Sequence, residues 1–350
     1  LHPRDRRQRQ MCIRDRLPRG VTQKGYGERL TGLVGLLSAH HHQSHRLVQE
    51  LLREVFGVVI SIGGINRLRQ EINEAVAGRV EEAKSYVQNQ EAMNSDETGF
   101  TQQNGDGKNP SNKRGWLWGL RTPLVSYFEV VLSRSQETAK SLIGSSFKGI
   151  VTSDRYGAYN WLPLEQRQIC WAHLKRDIVA ISERSGVSGQ IGNALLKRQY
   201  RLFRWWHRVR DGTMSHALFI EAVSHLRRGF QQELERAAAL PISSKEKTPL
   251  AKTVRTCRQI LKVEPALWTF VHHPSLEPTN NAAEQALRPA VIWRRLSFGS
   301  KSQGGSEFVA RMLTVTTSLH AQNRSVLDFL TQACRSARFS LESPSLLPLL

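Results

Sequence analysis

One stretch limits the folds open to this chain more than any other: Phe147-Lys-Gly-Ile-Val-Thr-Ser-Asp154-Arg-Tyr-Gly157-Ala-Tyr-Asn160. Gly149 to Thr152 reads as a short buried strand that delivers Asp154 at its C-terminal end. Gly157, with Tyr156 and Tyr159 beside it, turns the chain away. Open sheets with parallel strands place ligand chemistry at the carboxyl ends of those strands. An aspartate there can bind a hard cation, because carboxylate oxygen suits Mg²⁺ or Mn²⁺. It can equally be a turn or capping residue. The flanking elements decide between the two.

Ala92 to Glu97 reads as a strand with Asp96 inside it. A polar loop over 103–114 follows. Trp116–Leu120 and Leu124–Leu132 are aromatic and β-branched strands. Ser135 caps a helix running through Leu142. The strand before Asp154 comes next, then a strand over Ile169-Cys170-Trp171-Ala172, and His173 to Asp177 opens another helix. This order is that of an α/β, ribonuclease-H-like mixed sheet flanked by helices. In that topology the first and fourth strands are neighbours, so Asp96 and Asp154 converge. Glu97 points to the opposite face of a regular strand and is a poor substitute ligand.

Lys+Arg 50 against Asp+Glu 30 gives a net charge of +20, which points to a polyanion such as nucleic acid. No run of 18 apolar residues reads as a membrane span. No secretory signal appears, and no C-x-x-C pair suggests a zinc ribbon or a disulfide framework among Cys12, Cys170, Cys257 and Cys334. A cytoplasmic protein is expected.

The flanks read as helical. Residues 1–25 form a disordered basic tail, with Arg4, Arg6, Arg7, Arg9, Arg14, Arg16 and Arg19 in it. Met11 to Arg16 looks like translated adapter sequence, so no function is built on it. In 26–90, Leu30, Leu33, Val34 and Leu37 keep helical spacing. Ser44 caps a helix through Val48, Leu51, Leu52 and Val55, Gly57 ends it, and Ser61 starts another with Ile65, Leu68 and Ile72 inward. The pair resembles a helix-turn-helix, with Arg67 and Arg69 on or near the exposed face as DNA contacts. Residues 26–76 are expected to be removable without loss of the core. Residues 91–177 form the first part of the catalytic core. Residues 178–275 read as a helical insertion in which Arg201 and Arg204, with Arg198 and Arg208, border an apolar stripe and could contact phosphate.

The next informative stretch is His273-Pro274 to Pro289. Thr279 or Asn280 can cap a helix starting near Asn281. Glu284 then lies in or just beyond its first turn, with Arg288 one turn on, and Pro289 ends or kinks the segment. Residues 276–315 are assigned to the core with this helix, and 316–350 to a C-terminal helical tail.

Five motifs now stand in order: Ser95-Asp96-Glu-Thr-Gly99, Trp116-x-Trp118-Gly119, Ser153-Asp154-Arg-Tyr-Gly157-Ala-Tyr159, Cys170-Trp171-Ala-His173-Leu-x-Arg176 and Asn280-Asn281-x-x-Glu284-x-x-x-Arg288. Together, over roughly residues 25–340, they resemble the transposases of the insertion sequence 66 family, a DDE-type group. The resemblance implies Asp96, Asp154 and Glu284 as the catalytic carboxylates and as ligands to two Mg²⁺ or Mn²⁺ ions. Asp154 is the best candidate to bridge them. His173 could contact the scissile phosphate or a metal-bound water, Arg155 and Arg288 could hold phosphate, and Asn281 could orient Glu284. The implied activity is metal-dependent cleavage and strand transfer of element ends. The implied partners are double-stranded DNA, further copies of the chain and accessory transposition proteins, in a bacterial, nucleoid-associated setting. Relatives carry a preceding cysteine-containing zinc-binding segment, so a chain beginning at Leu1 is expected to be part of a longer protein. A related nuclease without strand transfer and a non-catalytic helix-turn-helix DNA-binding protein are the alternatives.

Overall fold

The computed structural model describes residues 25–348. The basic tail and its arginines lie outside this range, apart from the last residue, Gly25. Four helices come first: α1 Glu28–Ala39, α2 His45–Phe56, α3 Ile62–Ala75 and α4 Ala77–Gln88. Ser44 and Ser61 cap α2 and α3 by accepting from the N–H groups of Leu47 and Gly64, and Gly57 ends α2 in the left-handed conformation that glycine adopts at least cost. Val48 and Leu52 are buried, while Val55, in the last turn of α2, is 67% exposed.

A five-stranded sheet follows, with β1 Ala92–Gly99, β2 Trp116–Arg121, β3 Ser126–Val131, β4 Ile150–Ser153 and β5 Arg167–Ile169. The order is β3-β2-β1-β4-β5. β1, β2 and β3 form an antiparallel meander, while β4 and β5 run parallel to β1. Helix α5, Gln136–Ile143, makes the crossover from β3 to β4 and is capped by Ser135 as expected. β5 is shorter than the apolar run suggested. Cys170 caps a helix, α6 Trp171–Ser182, so Trp171 and Ala172 are helical. Periodicity cannot separate a short buried strand from the first turn of a buried helix.

Residues 178–275 contain no strand: the end of α6, then α7 Gly186–Arg210, α8 His216–Ala238, α9 Pro249–Leu261 and α10 Thr269–His272. They form their own apolar core around Trp171, Phe230 and Trp268, whose rings meet edge to face. The segment 264–272 also covers the β5 edge, where Thr269 Oγ1 donates to the Arg167 carbonyl and Gln168 Oε1 accepts from the Phe270 N–H.

Three helices complete the described chain: α11 Asn281–Ser297, α12 Gln303–Ala321 and α13 Val326–Phe339. α11 continues through Pro289 to Ser297, so the proline does not end it. Gln285, whose carbonyl loses its partner, is exposed and can give that carbonyl to water. α12 runs unbroken across the expected boundary at 315/316. It also covers the β3 edge: Thr314 and Ser318 hydroxyls accept the outward N–H groups of Phe128 and Ser126.

The N-terminal helices have an apolar core of their own around Val34, Leu52 and Ile65, and they also pack onto this body. α13 packs against α1 and α3. Its Arg338, almost fully buried, bonds Glu71 at 2.6 Å, Glu28 at 2.9 Å and the Tyr26 carbonyl. Ala39, Ile72 and Val76 belong to the same core as the sheet.

Candidate active site

β1 alternates strictly: Met93, Ser95 and Glu97 are buried on one face, while Asn94, Asp96 and Thr98 look the other way. α11 lies over the second face. Asn94 Nδ2 donates to Asn280 Oδ1 at 2.9 Å, and Arg294 Nη1 donates to Thr98 Oγ1 at 2.8 Å. The close approach depends on Gly119, paired with Asp96 across β1 and β2. A Cβ there would stand 2.9 Å from Phe128 and 3.3 Å from Leu287 of α11.

The parallel pairing of β1 and β4 sets Asn94 beside Thr152. Two residues further along come Asp96, still within β1, and Asp154, just past the end of the adjacent β4. Each has one oxygen engaged by nearby backbone: Asp96 Oδ1 accepts the Glu97 N–H at 2.9 Å, and Asp154 Oδ1 accepts the Tyr156 N–H at 2.8 Å. Glu284 sits in the first turn of α11. Asp96 records the company it keeps. Burial first, then the charges of Glu97, Asp154 and Glu284, push its carboxyl up to about 7, against the lowering effect of the Glu97 N–H.

Glu97 points away, as its alternation requires. It is buried, with Arg134 Nη2 at 2.6 Å and the Tyr159 hydroxyl at 2.6 Å. Burial raises its carboxyl, and these two partners work against that rise.

The other expected residues divide. His173 lies in the first turn of α6, and its Nδ1 is 3.5 Å from Glu284 Oε1. Arg176, not singled out as a contact, has Nη2 at 3.7 Å from the same oxygen. Arg288 and Asn281 are exposed on α11. Arg155, expected as a possible phosphate contact, is ion-paired with Asp177. Arg67, Arg201 and Arg204 are exposed, whereas Arg69 is not. Its guanidinium lies 4.1 Å over the Phe308 ring and meets His45, because α12 closes over that side of α3.

The residue that ties the site together is Asn280, not Asn281. It is fully buried. Its N–H donates to Cys170 Sγ at 3.1 Å, its Nδ2 to the Ser95 carbonyl at 2.9 Å, and its Oδ1 accepts from Asn94. Its carbonyl accepts the Glu284 N–H at 3.2 Å. One residue, by its side chain and its backbone, thus joins β1, the start of α6 and the start of α11. Sequence suggested Asn280 only as a helix cap, and its side chain makes no such bond. The Asn-Asn pair was the available signal, without a means to choose between its members.

Residues 26–308 match the family model described as Transposase IS66 family. No curated protein matches the chain.

Proposed function

The chain belongs to the Transposase IS66 family, and from that premise we propose that it is a DDE-type transposase in which Asp96, Asp154 and Glu284 carry strand cleavage and strand transfer. Sheet order and strand directions support a ribonuclease-H-like reading of the core. The observation that carries the proposal is Asp96: a carboxyl on the strand adjacent to the one that ends before Asp154, within the fields of both Asp154 and Glu284, and pushed up to about 7. Three carboxylates held together without a cation resist ionising together.

The donor set suits Mg²⁺ or Mn²⁺, because each side chain offers hard oxygen. Asp96, Asp154 and Glu284 would hold the ions. Bound there, a metal pair supplies the charge that activates an attacking oxygen and stabilises a leaving one. The chain's own part is placement. The parallel pairing of β1 and β4 brings the strands that carry Asp96 and lead to Asp154 side by side, and Asn280 braces the start of α11 and so the backbone of Glu284. Arg288, exposed one turn beyond Glu284, is placed to meet a phosphate of the strand being cut. Arg67, Arg201 and Arg204 are proposed as contacts to double-stranded DNA at element ends and target. Joining two ends at one target favours a homo-oligomer on DNA, with accessory proteins.

The test uses supercoiled plasmid and a free 3′-hydroxyl oligonucleotide. Wild-type protein is expected to nick in Mg²⁺ or Mn²⁺, to be silent in EDTA, and to join the oligonucleotide to the plasmid. Asp154→Asn should keep DNA binding and lose both reactions. Nicking by Asp154→Asn at the wild-type rate would overturn the assignment. Nicking without joining would favour a nuclease.

A further inference from the structure

Around Glu284 sits a donor set unlike the oxygens at Asp96 and Asp154. Among the described residues, Cys170 Sγ, a His173 nitrogen and a Glu284 carboxylate oxygen all lie within 4.8 Å of one another. His173 Nδ1 and Glu284 Oε1 face each other at 3.5 Å. Both atoms are shut off from solvent, and neither has a hydrogen-bond partner. Orphaned polar atoms of this kind are costly and rare. A shared cation would satisfy both. Their separation is close to the roughly 3.3 Å edge of a tetrahedron whose bonds are about 2.0 Å long.

The chain builds this group from three places. Cys170 caps α6, and His173 follows within the first turn, so both approach from one helix end. Glu284 arrives from the first turn of α11. Asn280 holds the two helix starts together and gives its N–H to the sulfur. Such a bond supports a thiolate and orients it. Burial raises the Cys170 thiol, while the N–H groups of Asn280, His173 and Ala172 lower it. Arg176, the competing partner of Glu284, is 66% exposed and can turn to water.

We propose that Cys170, His173 and Glu284 form a binding site for a transition-metal ion of the zinc class, with solvent as fourth ligand. Binding releases the thiol proton to water. Sulfur and imidazole favour a borderline-soft ion, and magnesium, which demands near-octahedral oxygen, does not compete for the sulfur. Glu284 is shared with the proposed catalytic set, so zinc withdraws it and inhibits strand cleavage. That consequence rests on the proposed function; the metal binding does not.

Cobalt(II) reports the site directly. Titrated into the full chain without magnesium, it should give a sulfur-to-cobalt charge-transfer band and the visible bands of tetrahedral coordination, both erased by stoichiometric Zn²⁺. Cys170→Ser should lose the charge-transfer band, and His173→Ala should weaken binding at least about 10-fold. Asp96→Asn should bind as wild type. Circular dichroism of each variant separates misfolding from ligand loss. An absent charge-transfer band in wild type, its survival in folded Cys170→Ser, or its loss in folded Asp96→Asn would overturn the site. Zn²⁺ should also slow magnesium-dependent nicking by wild type but not by Cys170→Ser, each against its own zinc-free rate. Intact cobalt bands with nicking indifferent to Zn²⁺ uphold the site and refute the catalytic role of Glu284.

Discussion

The two faces of β1 treat the same chemical group in opposite ways. Toward the Gly157–Tyr159 turn, Glu97 is closed in by Arg134 and the Tyr159 hydroxyl. Ser95 on that face adds a contact to Tyr159 at 3.1 Å. Toward α11, Asp96 accepts the Glu97 N–H and has two further carboxylates within reach of its charge. The residues are adjacent and both are drawn from water. What separates them is satisfaction. A buried carboxylate with a guanidinium and a hydroxyl is structure, since removing one partner strands a charge. A carboxylate placed among other carboxylates costs stability until a cation arrives, and such costs collect at functional sites.

The sharpest way to break this comparison is Asp96→Asn. The change conserves volume and removes a repelled charge. Cleavage in Mg²⁺ should fall about 10³-fold or more, the scale of losing a group that stabilises developing charge. Melting in EDTA at pH 8 should hold or rise. Loss of fold instead would place Asp96 among the structural carboxylates.

Glu97→Ala should do the reverse. Breaking a buried pair costs about 3–5 kcal/mol, read as a lower urea midpoint, and cleavage should fall only with the folded fraction. If the variant is as stable as wild type but inactive, the two faces have been assigned the wrong way round.

The third test uses pH. Asp96 has a folded value of about 7 against an ordinary value of 3.8, so the folded protein binds the proton more tightly. Its contribution is therefore fully present below pH ~4 and is lost as pH rises through ~7. Unfolding free energy of the metal-free protein should drop by on the order of 3 kcal/mol over that window. Glu97, raised in the same direction, adds to it. Mg²⁺ should restore stability at pH 8, and Asp96→Asn should flatten most of the slope. A metal-free protein that gains stability across the window would remove the repulsion argument.

Much of this arrangement was legible before the structure. Alternation in β1 put Asp96 and Glu97 on opposite faces, and the strand before Asp154 announced a parallel neighbour. Ser44, Ser61 and Ser135 announced their caps, because a cap is a local bond. What was hidden is tertiary. Arg69 reads as a surface arginine on its own helix, and only α12 covers it with Phe308. The partner of Arg155, Asp177, lies beyond β5 in α6. Asn280 differs from Asn281 only through Asn94, Ser95 and Cys170, far away in the chain. The packing of α13 onto α1 and α3 was hidden for the same reason: amphipathic spacing marks an inward face without saying which element fills it.

The smallest test matches two single bonds, one from each face. Ser95→Ala removes the hydroxyl that meets Tyr159, and Asn94→Ala removes the amide that meets Asn280. Each should cost about 1 kcal/mol, the net worth of one hydrogen bond, so urea midpoints should fall by similar small amounts. Activity should not follow stability. Ser95 supports Tyr159 and Glu97, which hold the sheet, and Ser95→Ala should cleave at close to the wild-type rate once folded. Asn94 braces Asn280, whose carbonyl bonds the Glu284 backbone and whose N–H bonds Cys170. Loosening that brace lets the first turn of α11 drift, and misplacing a reacting group by about 1 Å can cost on the order of 10²-fold. Asn94→Ala should therefore lose roughly ten-fold or more in cleavage at saturating Mg²⁺, with DNA affinity unchanged. Equal activity in the two variants would mean that the faces differ in charge satisfaction alone and that Asn280 does not position Glu284.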